Sequence, residues 1–475
     1  MTMRRSLLVL AVLFLCSVLV LAAGHTAVDN GKDKITVTET TLAGDPSAAE
    51  GLTVETTSNK DRQMFWRTVY EAGAEPQAET EFTFYQTEQK QEDVEARKEL
   101  DIYSHTAEFG ISGVIDLDTA NLDDCSLNGM LMKPAVDVAS RTPAGESRTE
   151  VLQLNRFYEY YPMWLEVHSG GWTMDYSWEL QLETCTFLEN YFAIPMPDTE
   201  WVEVTVEKDE AGQVVGVNCN TYYDYYEKDE YGTPINKTSF YAETVVLDNS
   251  VYLLFCGNAD FSGFRGGYGL YRIPVEMVDS WNGTTFSEPY THLLMEELEN
   301  VYPMDPSQGE FASMEPGLDD TELLLFEQTG NGLRLNVVNT GSNQVHQQLD
   351  LGKDAIPAVW YHEDLLILGY DIYDSENGTL QVLHRKNGEY GLWLETKLYP
   401  MNDDSWIFSP DFAFNGEKLA IAASWRIYQG VSHRIAVYDA SGLCYAGDYQ
   451  YNSDSLPDAP SFLNWDDTIY MEWKE

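Results

Sequence analysis

One short pattern recurs along the chain and limits the folds open to it: a tight polar turn followed at once by a very apolar stretch. β-Branched and aromatic residues dominate these stretches, which is typical of strands. Repetition of one such unit predicts an array of similar sheets. The copies are Leu127-Asn128-Gly129 before MLMKP, Leu188-Glu189-Asn190 before YFAIPM, Leu247-Asp248-Asn249 before SVYLLF, Leu318-Asp319-Asp320 before TELLLF, His362-Glu363-Asp364 before LLILGY, Asn415-Gly416-Glu417 before KLAIAA and Asp466-Asp467 before TIYMEW.

The spacing of these turns favours a β-propeller. They recur at intervals of roughly 40–70 residues, and four-stranded blades repeat at about 40–50 residues. The last repeat holds only two strands, and an unpaired half-blade would expose a sheet edge. Strands at Glu81–Gln86 and Glu99–Ser104 could complete it. We therefore expect an all-β fold with a single propeller of seven four-stranded blades, closed by N- and C-terminal strands. Six or eight blades, or a pair of β-sandwiches, are the alternatives.

The N-terminus indicates export. Arg4 and Arg5 precede the uncharged, apolar run Ser6–Gly24, which is the pattern of a signal peptide or of an uncleaved signal anchor. Residues 1–24 are therefore expected to place the chain outside the cytoplasm, secreted or membrane-anchored. Residues 25–61 are rich in small and polar side chains and predict a flexible linker. The propeller is expected over residues 62–475.

The charge excludes one class of partner. With 78 acidic and 28 basic residues, the formal charge is −50, which rules out nucleic-acid binding by phosphate neutralisation. The chain is also 44% hydrophobic and 13% aromatic, too apolar for a disordered acidic protein. We expect a folded monomer that meets a membrane only through its N-terminal segment.

One repeat resembles a known family. Ile407-Phe408-Ser409-Pro410-Asp411, Gly416–Ala422 and Arg434–Gly442 together resemble a TolB-type, WD40-like propeller repeat. Phe412–Asn415 interrupts the turn that usually follows the Pro-Asp pair. The resemblance implies a propeller fold and leaves function open, because propellers serve many functions.

Candidate binding residues lie in the longer loops, on the face opposite the short polar turns. Aromatic rings with a few carboxylates and arginines suit a binding rim, because they join flat apolar area to directional hydrogen bonds. A glycan or an extracellular protein would fit such a rim, whereas the same rings could simply cover the ends of the core. The predicted ligand-binding residues are Phe261, Phe264, Arg265, Tyr370, Asp371, Tyr373, Trp406, Trp425, Arg426 and Tyr428.

Catalytic and metal motifs are absent from the sequence. There is no HExxH, GxSxG or P-loop pattern, so no cofactor and no catalytic residue are predicted. Two acidic clusters could hold Ca²⁺, although both are expected first as solvated surface. They comprise Asp116, Asp118, Asn121, Asp123 and Asp124, and Asp371, Asp374, Glu376 and Asn377.

Three hypotheses for function follow. The first is an exported, non-catalytic binding module at the bacterial cell surface. The second is an extracellular carbohydrate-active enzyme that uses paired carboxylates at the propeller mouth. The third is a structural or envelope-assembly factor, which rests on the TolB-type resemblance.

Overall fold

The computed structural model describes the larger part of the chain. Its ranges are residues 12–26, 35–60, 64–73, 75–83, 100–105, 110–113, 117, 131–161, 164–169, 178–222, 225, 228, 238–278, 290–372, 377–399, 410–427, 430–452 and 468–474. These residues divide into two compact units, one formed by Met1–Glu92 with Pro357–Glu475 and the other by Asp93–Ile356. Each unit is described by itself.

Antiparallel strands make up most of the described residues. In chain order they are β1 (Thr36–Gly44), β2 (Leu52–Lys60), β3 (Met64–Glu71), β4 (Glu79–Thr83), β5 (Leu100–His105), β6 (Gly110–Gly113), β7 (Ser147–Gln153), β8 (Tyr160–Tyr161), β9 (Trp164–Ser169), β10 (Ile194–Pro195), β11 (Trp201–Lys208), β12 (Val214–Thr221), β13 (Ser239–Leu247), β14 (Ser250–Asn258), β15 (Gly269–Val278), β16 (Tyr290–Leu293), β17 (Glu299–Pro303), β18 (Glu310–Pro316), β19 (Glu322–Thr329), β20 (Gly332–Asn339), β21 (Gln344–Asp350), β22 (Ala358–His362), β23 (Leu365–Tyr370), β24 (Thr379–Lys386), β25 (Glu389–Lys397), β26 (Asp411–Phe414), β27 (Lys418–Ile427), β28 (Gly430–Asp439), β29 (Gly442–Asn452) and β30 (Thr468–Trp473).

Helices are few in the part of the chain that the structure describes. Residues 12–26 form helix α1, whose side chains are exposed. The unit of Asp93–Ile356 contains α2 (Met132–Arg141) and α3 (Trp178–Tyr191). Among the described residues, no helix combines the length and the apolar character that crossing a membrane requires. The signal peptide or anchor therefore stays a prediction.

The unit of Asp93–Ile356 consists largely of blade-like sheets, in which consecutive strands pair in antiparallel order. Strands β18 to β21 form one such sheet, and β13, β14, β15 and β17 form another, with β16 also pairing with β15. A third has the order β6, β12, β11, β7, and two small sheets pair β8 with β10 and β5 with β9. One continuous hydrophobic core joins α2 and α3 to described side chains of the sheets other than that of β5 and β9.

In the unit containing both chain ends, the described residues form three sheets. Strands β22 to β25 form a simple meander, and β26 to β29 form a second that gains β1 as a fifth strand. The third sheet has the order β30, β2, β3, β4, so strands from both ends of the chain complete one blade. Closure by N- and C-terminal strands is thus confirmed within this unit. The partners are β2 to β4, whereas β5, which covers most of Glu99–Ser104, pairs with β9.

The predicted turns explain how these sheets form. Between β13 and β14, Asp248 and Asn249 both have positive φ angles, 47° and 54°. Two successive residues in this conformation make the turn whose twist matches an antiparallel hairpin, and Asp and Asn tolerate it better than most residues. Glu363, between β22 and β23, also has a positive φ. The all-β, propeller-like fold class is confirmed at the level of these sheets, and the number of blades stays a prediction.

Three parts of the sequence interpretation are wrong. Residues 132–134 of the apolar stretch MLMKP, predicted to be a strand, lie in helix α2. The predicted linker at residues 25–61 contains β1 and β2, in which Val37, Leu52 and Val54 are buried, as is Ile35 just before β1. The small polar residues of this segment lie on the exposed face of the two strands. Their number made the alternation of apolar and polar residues difficult to identify in the sequence. The turn assigned to Leu188–Asn190 lies inside α3, because Leu188 is buried as part of a helical face.

Candidate functional site

The loop between β14 and β15, residues 259–268, carries three of the predicted site residues. It opens with a short 3-10 turn, Phe261–Gly263, and the Asp260 carboxylate accepts a hydrogen bond from the Ser262 backbone N–H at 3.0 Å. The Arg265 N–H donates to the Ala193 carbonyl oxygen at 2.8 Å. These bonds fix the loop against the segment that follows α3.

Two of the three side chains belong to the core. Phe261 is 2% exposed and Phe264 is 6% exposed. The Phe264 ring stacks on Phe192 with centroids 5.6 Å apart, and the Phe261 ring stacks on Tyr268 at 4.6 Å. The prediction that both rings present a ligand-binding surface is therefore wrong. Both rings pack into the core and anchor the loop there. The sequence pattern identifies an aromatic loop without indicating which rings turn inward.

Arg265 is the third predicted residue of this loop, and it stays exposed at the surface. Its guanidinium carbon lies 4.9 Å from the centre of the Tyr160 ring, within the range of a cation–π contact. Its Nη2 donates to the Glu189 carbonyl oxygen at 3.3 Å, near the C-terminal end of α3. This bond satisfies a carbonyl at the negative end of the helix and holds the guanidinium in place.

Two aromatic residues on α3 extend this surface. Phe187 and Tyr191 are four residues apart, so they lie on the same side of the helix. Their rings are nearly parallel, at 14°, with centroids 6.1 Å apart, and Phe187 is 36% exposed. A β-carbon on Gly266 would lie 3.1 Å from the Tyr191 ring, and Gly266 has φ +98°. Glycine is thus what allows the loop to pass this close to the ring.

We call Tyr160, Phe187, Tyr191 and Arg265 together the Arg265 face. It combines a stacked ring pair with a guanidinium held over a third ring. Tyr191 also meets Phe192 and Tyr271 edge to face, at 4.9 and 6.1 Å between centroids. The face therefore has a rigid base, and binding to it would order few side chains.

Carboxylates lie next to the same loop. Burial, with the Asp260 charge as a smaller contribution, raises the pKa of Glu310 above its ordinary value. The nearby Glu327 carboxylate accepts a hydrogen bond from Asn336 Nδ2 at 2.8 Å. Glu310 therefore binds a proton more tightly than an ordinary glutamate does, because its pKa is raised.

The remaining predicted site residues fall in the other unit. Tyr370 is 1% exposed and donates a hydrogen bond to Gln381 Oε1 at 2.9 Å, so its predicted role in a ligand-binding rim is corrected to a core position. Asp371 is exposed, with φ 50°. Trp425 and Arg426 lie on β27, whose backbone alone is described at these positions. Tyr373, Trp406 and Tyr428 lie outside the described residues. So do the whole first predicted Ca²⁺ cluster and, of the second, Asp374 and Glu376. Convergence of the three loops at one mouth stays a prediction.

Sequence reasoning misses Tyr160, Phe187 and Tyr191. A spacing of four between Phe187 and Tyr191 is a helical signal, but the polar turn pattern in the same segment predicts a strand after it. In the sequence, Tyr160 fits a cross-strand packing residue, and it does pair with Pro195 in the small sheet of β8 and β10. Within the described residues, no cluster of histidine, cysteine and carboxylate side chains has the arrangement of a metal site.

Comparison with known proteins finds solved structures of low sequence identity and low TM-score. No protein-family model and no curated protein matches the chain. Among solved structures, it is similar to the β-propeller domain of Cps50 (Swd1) from Myceliophteria thermophila, with 11% identity over 54% of this chain and 82% of that one, and a TM-score of 0.22. TolB from Acinetobacter baumannii is 10% identical over 90% of this chain and 84% of its own, also at 0.22.

A structure from a study of two prolyl endopeptidases is 9% identical over 90% of this chain, with a TM-score of 0.22. This chain covers 62% of that protein's length. Similarity at these TM-scores gives no information about activity.

Proposed function

We propose that this chain is an exported, non-catalytic binding module and that the Arg265 face binds a glycan. The observation that carries the proposal is the nearly parallel ring pair of the exposed Phe187 and the half-buried Tyr191, beside the held guanidinium of Arg265. The export segment of residues 1–24 supports a place at the bacterial cell surface.

The chemistry of the face fits a sugar. A pyranose ring has an apolar C–H face that stacks on aromatic rings and a rim of hydroxyl groups that need directional partners. The Arg265 guanidinium has five N–H donors, of which one bond goes to the Glu189 carbonyl. The remaining donor capacity can serve hydroxyl or carboxylate oxygens of a ligand. An extracellular protein is the second occupant that such a surface could take.

Binding to a glycan panel tests the proposal. We expect calorimetry to find one glycan class that binds. We expect Phe187→Ala to weaken its affinity about fivefold, since stacking contacts of this kind contribute on the order of 1 kcal/mol. Tyr361→Ala is the matched control, because Tyr361 is 37% exposed and Phe187 is 36% exposed, and Tyr361 lies in the other unit.

Equal losses in both variants would contradict the assignment of the face. Absence of binding across the panel would contradict the glycan proposal and would move the search to extracellular proteins, with the same pair of variants. Arg265 is left unchanged in this test, because its bond to the end of α3 also stabilises the fold.

A second function has one observation in its favour. Glu310, with its raised pKa, lies within electrostatic reach of Asp260, and a protonated carboxyl group beside a second carboxylate is the arrangement that glycoside hydrolysis uses. Under this alternative, Glu310 would protonate the leaving oxygen and Asp260 would act as base or nucleophile.

Turnover separates the two functions. If the protein is an enzyme, Glu310→Gln abolishes release of reducing sugar from a bound glycan and leaves affinity nearly unchanged. If it is a binding module, no reducing sugar is released by the wild-type protein. The hypothesis of an envelope-assembly factor stays a prediction from the TolB-type resemblance.

A further inference from the structure

Two side chains of β13 hold an irregular part of the neighbouring strand β18. The register of β18 shifts between Phe311 and Ser313, which leaves Ala312 as an extra residue. The Tyr241 hydroxyl donates to the Ala312 carbonyl oxygen at 2.9 Å, and the Glu243 Oε2 accepts a hydrogen bond from the Met314 backbone N–H. Side chains of the next sheet thus satisfy backbone groups of the edge strand β18 at this bulge.

The same bulge holds the loop of residues 259–268. The Phe311 backbone N–H donates to the Tyr268 hydroxyl at 2.8 Å. The Tyr268 ring stacks on Phe261, and the Phe261 ring contacts Phe264 at 5.9 Å between centroids. Arg265 follows Phe264 directly in the chain. A continuous series of contacts therefore connects Glu243 to the Arg265 face.

We propose that Glu243 is a proton-sensitive latch for the Arg265 face: protonated, it holds the β18 bulge and the loop above it in place, and ionised, it releases them. This inference rests on the proposed function, because it describes how binding at that face is regulated. The geometry of the sheet junction carries it. Glu243, Tyr241 and Tyr268 fix three backbone groups within four consecutive residues of β18.

The groups around Glu243 explain why its ionisation, and not its protonation, favours opening of the junction. Burial, followed by the neighbouring Glu315 charge, raises the pKa of Glu243 to about 7, although the Met314 N–H opposes the shift. The groups that face Glu243 include Tyr241 and Cys256, whose own pKa values burial also raises, so both are neutral.

Strand β5 also runs beside β13 and carries Asp101, Tyr103 and His105, whose side chains lie outside the described residues. None of the described groups facing Glu243 is cationic, so its ionised form has no compensating charge among them. Opening of the junction would hydrate the carboxylate, and ionisation therefore favours opening.

The size of the effect follows from linkage. A carboxyl group exposed by opening returns to an ordinary pKa near 4.5, whereas the closed form titrates at about 7. Between pH 6 and pH 8 the opening equilibrium of the junction therefore rises about tenfold. Glu243→Gln keeps an acceptor oxygen for Met314 and cannot ionise, so its junction stays closed at both pH values.

Hydrogen exchange measured by mass spectrometry tests the latch without any ligand. Wild type and Glu243→Gln are compared at the same pH, so the intrinsic pH dependence of exchange cancels. In peptides covering residues 259–268 and 309–314, we expect the ratio of the exchange rate of wild type to that of Glu243→Gln to rise about tenfold between pH 6 and pH 8.

Two further variants keep the test decisive. Glu315→Gln removes a neighbouring charge, so it should move the midpoint of the pH-dependent rise in exchange to lower pH without abolishing that rise. His105→Gln should leave the pH-dependent rise in exchange unaltered. Equal exchange of wild type and Glu243→Gln at pH 8, or loss of the pH dependence in His105→Gln, would overturn the inference.

Affinity for the glycan found in the first test supplies the functional readout. We expect wild type to bind more weakly at pH 8 than at pH 6, by up to about tenfold according to the fraction of molecules that are open, and Glu243→Gln to bind equally at both. Glycan binding and hydrogen exchange that are both pH-independent relative to Glu243→Gln overturn the latch and leave the proposed function standing. If no glycan binds, the proposed function fails, and the exchange experiment still decides whether Glu243 controls the loop.

Discussion

His433 is a buried histidine whose protonation affects the stability of the protein. It is completely buried on β28 and stacks on Tyr449 at 5.7 Å and 9°. Its Nε2 is hydrogen-bonded to the Tyr70 hydroxyl, and its Nδ1 has no partner among the described residues. Burial lowers the pKa of His433 to about 3, so the ring is neutral over the ordinary pH range.

Acid should therefore destabilise the protein through this residue. The unfolded chain binds a proton at His433 near pH 6.5, but the folded chain does so only near pH 3. Stability is full above pH 6.5 and falls below it by up to about 1.4 kcal/mol per pH unit from this residue alone. In urea unfolding at pH 7, 5.5 and 4.5, we expect His433→Gln to lose less stability with acid than wild type.

His346→Gln provides the comparison for that experiment. The His346 side chain is 34% exposed and lies 3.7 Å from Glu322, so water solvates it in both states. Its variant should keep the steep acid dependence of wild type. Parallel pH curves for wild type and His433→Gln would show that the buried ring is not responsible.

Gly257, at the end of β14, is a position where the backbone excludes any side chain. Its φ is +123°, and a β-carbon there would lie 2.3 Å from the Ser239 carbonyl oxygen of the paired strand. We expect Gly257→Ala to lower the free energy of unfolding by at least about 2 kcal/mol, since neither backbone can yield cheaply. Thermal and urea unfolding measure it.

Gly330 is the matched position for this substitution. It lies in the turn before β20, and a β-carbon there would have nothing within 4 Å. Gly330→Ala should change stability by less than about 0.5 kcal/mol. A similar loss in both variants would mean that the close approach at Gly257 is not what matters.

At the scale of elements, β30 decides whether one blade is complete. Met471 is 2% exposed and lies opposite Val54 on β2, and Trp473 donates from its indole N–H to the Ala413 carbonyl oxygen at 3.2 Å. We expect Met471→Ala to cost about 2–5 kcal/mol by leaving a cavity in this core. Glu472→Ala, on the exposed face of the same strand, should cost less than about 0.5 kcal/mol. Similar costs for both would place β30 outside the core.

Strands are easier to predict from this sequence than helices. A short apolar run bounded by a polar turn is typical of a buried strand, so the pattern alone identifies β14, β19, β23 and β27. Helix α3 escapes prediction because its buried residues pack against a sheet on one side while Phe187 stays exposed on the other, so its apolar residues do not form a clean stripe. The Arg265 face depends on that helix, so it could not be predicted.

At the scale of the molecule, charge is the dominant quantity. A formal charge of −50 makes the folded chain repel itself, and salt screens that repulsion within a Debye length of about 10 Å at 0.1 M. At pH 7.5, we expect the melting temperature to be several degrees higher in roughly 300 mM NaCl than in roughly 20 mM NaCl. Near pH 4.2, where the net charge is close to zero, salt should have little effect. A salt effect of equal size at both pH values would exclude self-repulsion as its cause.

Composition and repeats establish the fold class and leave the site unspecified. They give strand identity, turn positions and the sign of the surface charge, because each depends on local residues. They do not give the inward turn of Phe261 or the meeting of Arg265 with Tyr160. Both depend on how segments far apart in sequence pack together.

The pairing of β30 with β2 also sets the order in which the molecule can be built. Leu52 and Trp473 lie opposite each other but are roughly 400 residues apart in the chain. During synthesis, the sheet of β2, β3 and β4 therefore keeps an open edge until nearly all of the remaining chain has been made. Contacts of such long range form late and slowly. A chain interrupted anywhere before residue 468 would keep that edge open, and quality-control proteases could recognise it as unfinished.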